Sequence, residues 1–147
     1  MEKAIIIDID GVILDTSRVL HEINELKLRG DEMWDYFYAH CNNGRRSPFM
    51  SNIIPFVNCL KDSVKIFLST ARNERIREET EERLRFENFS YTKLYMRNQG
   101  DLRPSSEVKA DHLNLIQQEY EVVAFIDDDL TNCQMARDNG ILAFRKV

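Results

Sequence analysis

Five short apolar runs, at residues 4–7 (AIII), 64–68 (VKIFL), 93–96 (KLYM), 122–126 (VVAFI) and 141–144 (ILAF), recur along the chain with longer polar segments between them. A strand that is apolar at nearly every position, instead of at alternate ones, has to be covered on both faces. The intervening segments carry helical spacing. Residues 73–89 (NERIREETEERLRFENF) place Ile76, Thr80 and Leu84 on one stripe with Phe86 and Phe89 beside it, and residues 105–120 turn Val108, Leu113 and Ile116 inward. Ser105, Ser106 and Glu107 are candidates to cap the second of these helices. Strands covered on both faces and alternating with helices predict an α/β fold, a doubly wound, Rossmann-like parallel sheet flanked by helices.

Residues 15–48 interrupt this alternation. They hold two expected helices, 16–28 and 31–41, before the turn-like NNGRRSP, and so predict a small helical cap inserted after the first strand. At 147 residues the chain has the size of one domain, with a core of 1–14 and 49–147 around the 15–48 cap. Inserts at this place lie at the active-site end of such sheets, where a lid selects substrate. The aromatic cluster Trp34, Tyr36, Phe37 and Tyr38 supplies the cap's own core, and one of its rings is a candidate to stack on a base.

The net charge of −5 argues against nucleic-acid binding through broad electrostatic attraction and leaves room for a local basic groove. Cys41, Cys59 and Cys133 are odd in number and far apart, which predicts neither a disulfide framework nor a zinc site and fits a reduced, cytoplasmic setting. No apolar stretch approaches the roughly 18 residues that a membrane span requires, and MEKAIIID reads as a strand instead of a signal peptide.

In doubly wound sheets ligands bind beyond the carboxyl ends of the strands, and each run here delivers polar residues there: Asp8 and Asp10; Ser69, Thr70 and Arg72; Arg97; Asp127, Asp128 and Asp129. An Asp-x-Asp is expected about once by chance at this composition, but one followed by glycine and preceded by an apolar strand only about 0.03 times or less. Carboxylates gathered from two strand ends repel one another unless a cation relieves them, and oxygen-only ligands without Cys or His point to Mg2+. A second reading of Asp127 to Asp129 is a capping cluster for the next helix. Thr70 and Arg72 offer a hydroxyl and a guanidinium to a phosphate, or serve as routine caps. Lys109, early in a helix, reads on composition alone as a surface lysine.

Taken together these residues resemble the haloacid dehalogenase superfamily of phosphotransferases. AIIIDIDG, KIFLSTAR, Lys109 and AFIDDDLTN fall in the order of that family's four motifs, the last in the form Asp-Asp-x-x-x-Asn through Asp127, Asp128 and Asn132. The resemblance implies that Asp8 is a nucleophile forming an aspartyl phosphate and that Asp10 is the general acid and base. It further implies that Thr70 bonds the transferred phosphoryl group, that Lys109 screens its charge, and that Mg2+ rests on Asp8, the Asp10 backbone carbonyl, Asp127 and Asp128.

A narrower resemblance lies in YMRNQGDLRPSSEVK, which is similar to the Arg-x-x-Gly-Asp-x-Arg-x-Asp-x-x-Val-Lys segment in the phosphatase half of bacteriophage-type polynucleotide kinase/3′-phosphatases. Arg97, Gly100, Asp101, Arg103, Val108 and Lys109 match it, while Ser105 stands where that segment has aspartate and Ala71 where the related Ser/Thr-Gly-Arg signature has glycine. Gly11, Arg72, Arg97 and Arg103 are therefore the expected substrate-binding residues. No Gly-x-x-x-x-Gly-Lys-Ser/Thr loop occurs, so no kinase domain is expected in this chain. The expected function is a Mg2+-dependent phosphatase acting on a terminal 3′-phosphate of a polynucleotide or nucleotide. The alternatives are a small-molecule phosphatase such as a 5′-nucleotidase, and a catalytically idle domain that binds phosphate ends or a protein.

Overall fold

A computed structural model describes residues 1–147. Its centre is a five-stranded, all-parallel sheet in the order β3-β2-β1-β4-β5, formed by β1 (Lys3–Ile7), β2 (Lys65–Asn73), β3 (Lys93–Arg97), β4 (Glu121–Asp127) and β5 (Ala143–Arg145). The chain winds outward from β1 to β3, crosses back to β4 beside β1, and winds outward again. Strand order therefore reverses at β1, where a crevice opens at the carboxyl ends.

The uninterrupted AIII run follows directly from this position. Side chains alternate between the faces of a strand, so Ile5 and Ile7 enter one core with Leu68, Val19, Phe37 and Leu84, while Ala4 and Ile6 enter the other with Phe67, Leu113, Ile116 and Ala136. The first core lies under α1 (Ser17–Glu25), α2 (Gly30–His40), α3 (Ile53–Leu60) and α4 (Arg77–Phe86); the second lies under α5 (Ser105–Gln117) and α6 (Leu130–Asp138). No helix is long and apolar enough to cross a membrane.

The helical insert is joined to the sheet through a narrow neck. Asp15 N–H donates to the Pro48 carbonyl and Met50 N–H to the Ile13 carbonyl, each at 2.8 Å, so the chain leaves and returns side by side.

Several element ends differ from the sequence expectation. α1 stops at Glu25 and not at 28, because Lys27 takes a positive φ of 54° and Leu28 N–H closes back on the Ile23 carbonyl at 3.1 Å. α4 ends in the same way at Asn88 (φ 55°), with Phe89 N–H on the Leu84 carbonyl at 3.0 Å. Both are Schellman closures made without glycine. This second turn directs Phe89 inward, whereas Phe86 is 81% exposed and off the expected buried stripe. α4 also begins late, since β2 runs on to Asn73, whose side chain accepts from Arg75 N–H and starts a 3-10 turn at Glu74–Ile76. The expected capping by Ser105 and Ser106 is absent: Pro104 occupies the cap position and Ser105 is the first helical residue.

Candidate active site

The chain leaves β1 with Asp8, Ile9 and Asp10. Ile9 is fully buried in the first core, which turns the two flanking carboxylates toward the crevice. Asp8 Oδ1 accepts from Ile9 N–H at 2.8 Å and lies 2.8 Å from Lys109 Nζ. The same ammonium donates to Asp127 Oδ2 at 2.6 Å. Lys109 is only 2% exposed, so it is the buried bridge between the ends of β1 and β4 and not a surface lysine. Burial alone would lower its pKa, but Asp8 and Asp127 outweigh that and hold the ammonium above its ordinary value.

Burial pushes the Asp8 carboxyl well above the usual carboxylate range, and neighbouring Asp127 and Asp10 push it further, against the opposing pull of Lys109. Burial and Asp127 likewise raise Asp128. One lysine is therefore too little positive charge for the acidic groups around it. Carboxylate oxygens of Asp8, Asp127 and Asp128 lie within 4.8 Å of one another, an all-oxygen donor set that suits a hard divalent cation. The capping reading of the last motif holds at Asp129, which accepts from Asn132 N–H at 2.9 Å at the start of α6, while Asp127 instead receives Lys109 and Asn132 Nδ2.

Gly11 is among the expected substrate-binding residues, but its N–H donates to the Leu14 carbonyl at 2.8 Å inside the turn after β1. Its contribution is space. It takes a φ of +83°, and a Cβ placed there would overlap the Asp128 carboxylate.

Arg72 lines the catalytic cavity, but its donors are engaged within the protein. A guanidinium has five N–H donors, and each has a protein acceptor. Nε and Nη2 grip Asp10 Oδ2 and Oδ1 at 3.0 and 2.7 Å; Nη1 reaches Asn42 Oδ1 at 2.6 Å and Thr80 Oγ1 at 3.1 Å; Nη2 also reaches the Cys41 carbonyl at 3.3 Å. Burial opposes the charge on Arg72, and Asp10 more than restores it. Asn42 and Thr80 carry no sequence signal for this role, Asn42 lying in a segment that reads only as a turn.

Thr70 is wholly buried and accepts from Arg72 N–H at 3.1 Å; Ala71, and not Thr70, lines the cavity. Arg97 and Arg103 are not brought to the carboxylates. Arg97 ties down the loop before α5 through the carbonyls of Ala71, Asp101 and Arg103, and Arg103 pairs with Asp101 at 2.8 Å and Asp111 at 2.6 Å. They border a second cavity that shares Trp34, Tyr38, Ala71 and Ser105 with the first.

The first cavity, about 260 Å³, has Asp8, Asp10, Lys109 and Asp128 on its floor and Leu20, Trp34 and other insert residues on its walls. Phe37 is buried as insert core, whereas Trp34 is 47% exposed and stacks on Tyr38 with centroids 5.8 Å apart. Ser105 borders the cavity and accepts from Asn132 Nδ2 at 3.2 Å, the position where an aspartate was expected from the resemblance.

An open parallel sheet with two carboxylates after its central strand, a buried lysine and an acidic pair after the adjoining strand define the haloacid dehalogenase-like phosphatase class. The sequence model of the polynucleotide kinase PNKP phosphatase domain matches residues 2–146, and the chain belongs to that family. A structure of the Pnkp1/Rnl/Hen1 RNA repair complex superimposes with a TM-score of 0.73 at 21% identity, covering 99% of this chain and 42% of that chain. A second Pnkp1/Rnl/Hen1 structure gives 0.72 at 22% identity, over 99% and 46%. A haloacid dehalogenase-like hydrolase from Streptococcus pneumoniae gives 0.72 at 16% identity, over 97% and 83%. The chain thus spans less than half the length of the first two. No curated protein matches its sequence significantly.

Proposed function

We propose that this domain is a Mg2+-dependent phosphatase that removes a terminal 3′-phosphate from a nucleic acid or nucleotide through an aspartyl phosphate on Asp8. The observation that carries the reading is the convergence of Asp8, Asp10, Lys109 and Asp128 on one cavity roofed by an aromatic insert. Family membership supports the phosphatase chemistry, and the likeness to RNA repair complexes supports a nucleic-acid end as substrate. Arg97, Arg103 and the exposed face of Trp34 lie around the adjoining cavity, where the rest of a strand would leave the site.

Ile9 N–H and Lys109 Nζ hold Asp8 Oδ1, which leaves Oδ2 to attack phosphorus as the bond to the 3′-oxygen breaks. Arg72 holds both oxygens of Asp10. Asp10 collects the proton that enters on the phosphate monoanion and passes it to the departing oxygen. In the second half, Asp10 takes a proton from water as that water attacks the aspartyl phosphate, releasing inorganic phosphate and Asp8. Mg2+, held by Asp8, the Asp10 carbonyl, Asp127 and Asp128, would offset the phosphate charge that otherwise repels these carboxylates. Phosphatases of this class generally use that ion.

The small first cavity gives the mononucleotide reading its one specific support. Turnover of a 3′-phosphorylated oligonucleotide against free 3′- and 5′-mononucleotides separates the cases. The proposal expects the highest kcat/KM for a 3′-phosphate; preference for a 5′-mononucleotide would replace it with the nucleotidase reading, and no hydrolysis of any would leave a binding domain.

A further inference from the structure

Asn42 follows the last turn of α2, at the end of the insert, and does not border the catalytic cavity. Its Oδ1 nevertheless accepts the shortest of the hydrogen bonds that Arg72 makes, 2.6 Å from Nη1. The other Nη1 acceptor, Thr80 Oγ1 at 3.1 Å, belongs to α4, and the Cys41 carbonyl takes the remaining Nη2 proton at 3.3 Å. On the opposite side, Nε and Nη2 meet both oxygens of Asp10.

The guanidinium is a rigid planar fork, so fixing its outer donors fixes the direction of the two that hold Asp10. Asp10 itself keeps some solvent access, with its side chain 23% exposed, while the Arg72 side chain is 1% exposed. The carboxyl that faces substrate therefore takes its orientation from a buried group, and that group takes its orientation in part from the insert.

We infer that Asn42 is a positioning residue for proton transfer: acting through Arg72, it aims the Asp10 carboxyl at the leaving oxygen and couples the seating of the helical insert to acid catalysis. This rests on the reading of Asp10 as the acid. Asparagine suits the task because it supplies a short neutral acceptor without adding a second carboxylate to compete with Asp10 for the guanidinium.

A residue that only tethers the insert and one that aims the acid differ in how their loss depends on the leaving group. An alkoxide leaves poorly without a proton, whereas an acidic phenolate needs none. The test is kcat/KM, which reports transfer to Asp8, for a 3′-phosphorylated nucleotide and for p-nitrophenyl phosphate, measured on the intact chain with Mg2+. Asn42→Ala should lower the nucleotide-to-phenyl ratio by about tenfold or more, up to the roughly hundredfold that a misplacement of a catalytic group by about 1 Å can cost. Asn42→Asp, which keeps the acceptor but adds the competing carboxylate, should recover only part of it. Thr80→Val removes the second Nη1 acceptor from outside the insert and should shift the ratio the same way, so the test stands even where Asn42→Ala folds poorly. An unchanged ratio in Asn42→Ala and Thr80→Val, beside a collapsed one in Asp10→Asn, would overturn the positioning role alone. An unchanged ratio in Asp10→Asn would remove the acid assignment and this inference with it.

Discussion

Lys109 Nζ lies 2.8 Å from Asp8 Oδ1 and 2.6 Å from Asp127 Oδ2, with all three side chains buried. Removing one member of such a cluster leaves uncompensated charge in a poorly solvated place, at a typical cost of about 3–5 kcal/mol. Lys109→Met is expected to lose stability on this scale and to hydrolyse phosphate esters at least about a hundredfold more slowly. Urea unfolding and steady-state kinetics check the two effects.

Gly11 is predicted to control the cation site without ligating anything. In Gly11→Ala the new methyl group would need the space of the Asp128 carboxylate, on a backbone whose φ of +83° side chains rarely adopt. The variant should bind Mg2+ at least about tenfold more weakly and be about 1–3 kcal/mol less stable. Calorimetric Mg2+ titration and thermal melting are the measurements, and chelation of the ion should stop wild-type hydrolysis.

His112 makes a pH-dependent contribution away from the chemistry. Its Nδ1 faces Ser69 Oγ at 2.7 Å and its Nε2 the Met96 carbonyl at 3.1 Å. Burial lowers its pKa to about 4; Lys109 acts in the same direction, while the Met96 carbonyl, Asp111 and Glu74 oppose. An unfolded histidine titrates near 6.5, so between these values the unfolded chain binds the extra proton. The His112 contribution is complete above about pH 6.5 and is lost as pH falls toward 4, by up to about 3 kcal/mol. The difference in unfolding free energy between wild type and His112→Gln, followed across this window, should show that slope.

The strands and the acidic residues at their ends were legible because both obey local rules. A run such as AIII is apolar throughout only when two cores claim it, and Asp8 follows β1 directly, Asp10 stands two residues further on, and Asp127 ends β4. Helix ends were less so, since Lys27 and Asn88 close their helices without the glycine that marks such turns. The role of Arg72 was not legible at all. A buried arginine and one that binds phosphate look alike in sequence, and its acceptors Asn42 and Asp10 stand 30 and 62 residues away. Thr70 and Gly11 show the same limit from the other side: motif position was readable, but whether an atom faces the cavity depends on neighbours brought there by the fold.

The most direct test of the phosphoryl-transfer assignment is to find the phosphoryl group. Intact-mass and peptide mass spectrometry of Asp10→Asn, quenched in acid during turnover of p-nitrophenyl phosphate with Mg2+, should show one added phosphoryl group on Asp8. Asp8→Asn should show none and should not hydrolyse substrate while keeping its fold. A phosphoryl group on another residue, or hydrolysis surviving in Asp8→Asn, would contradict the account.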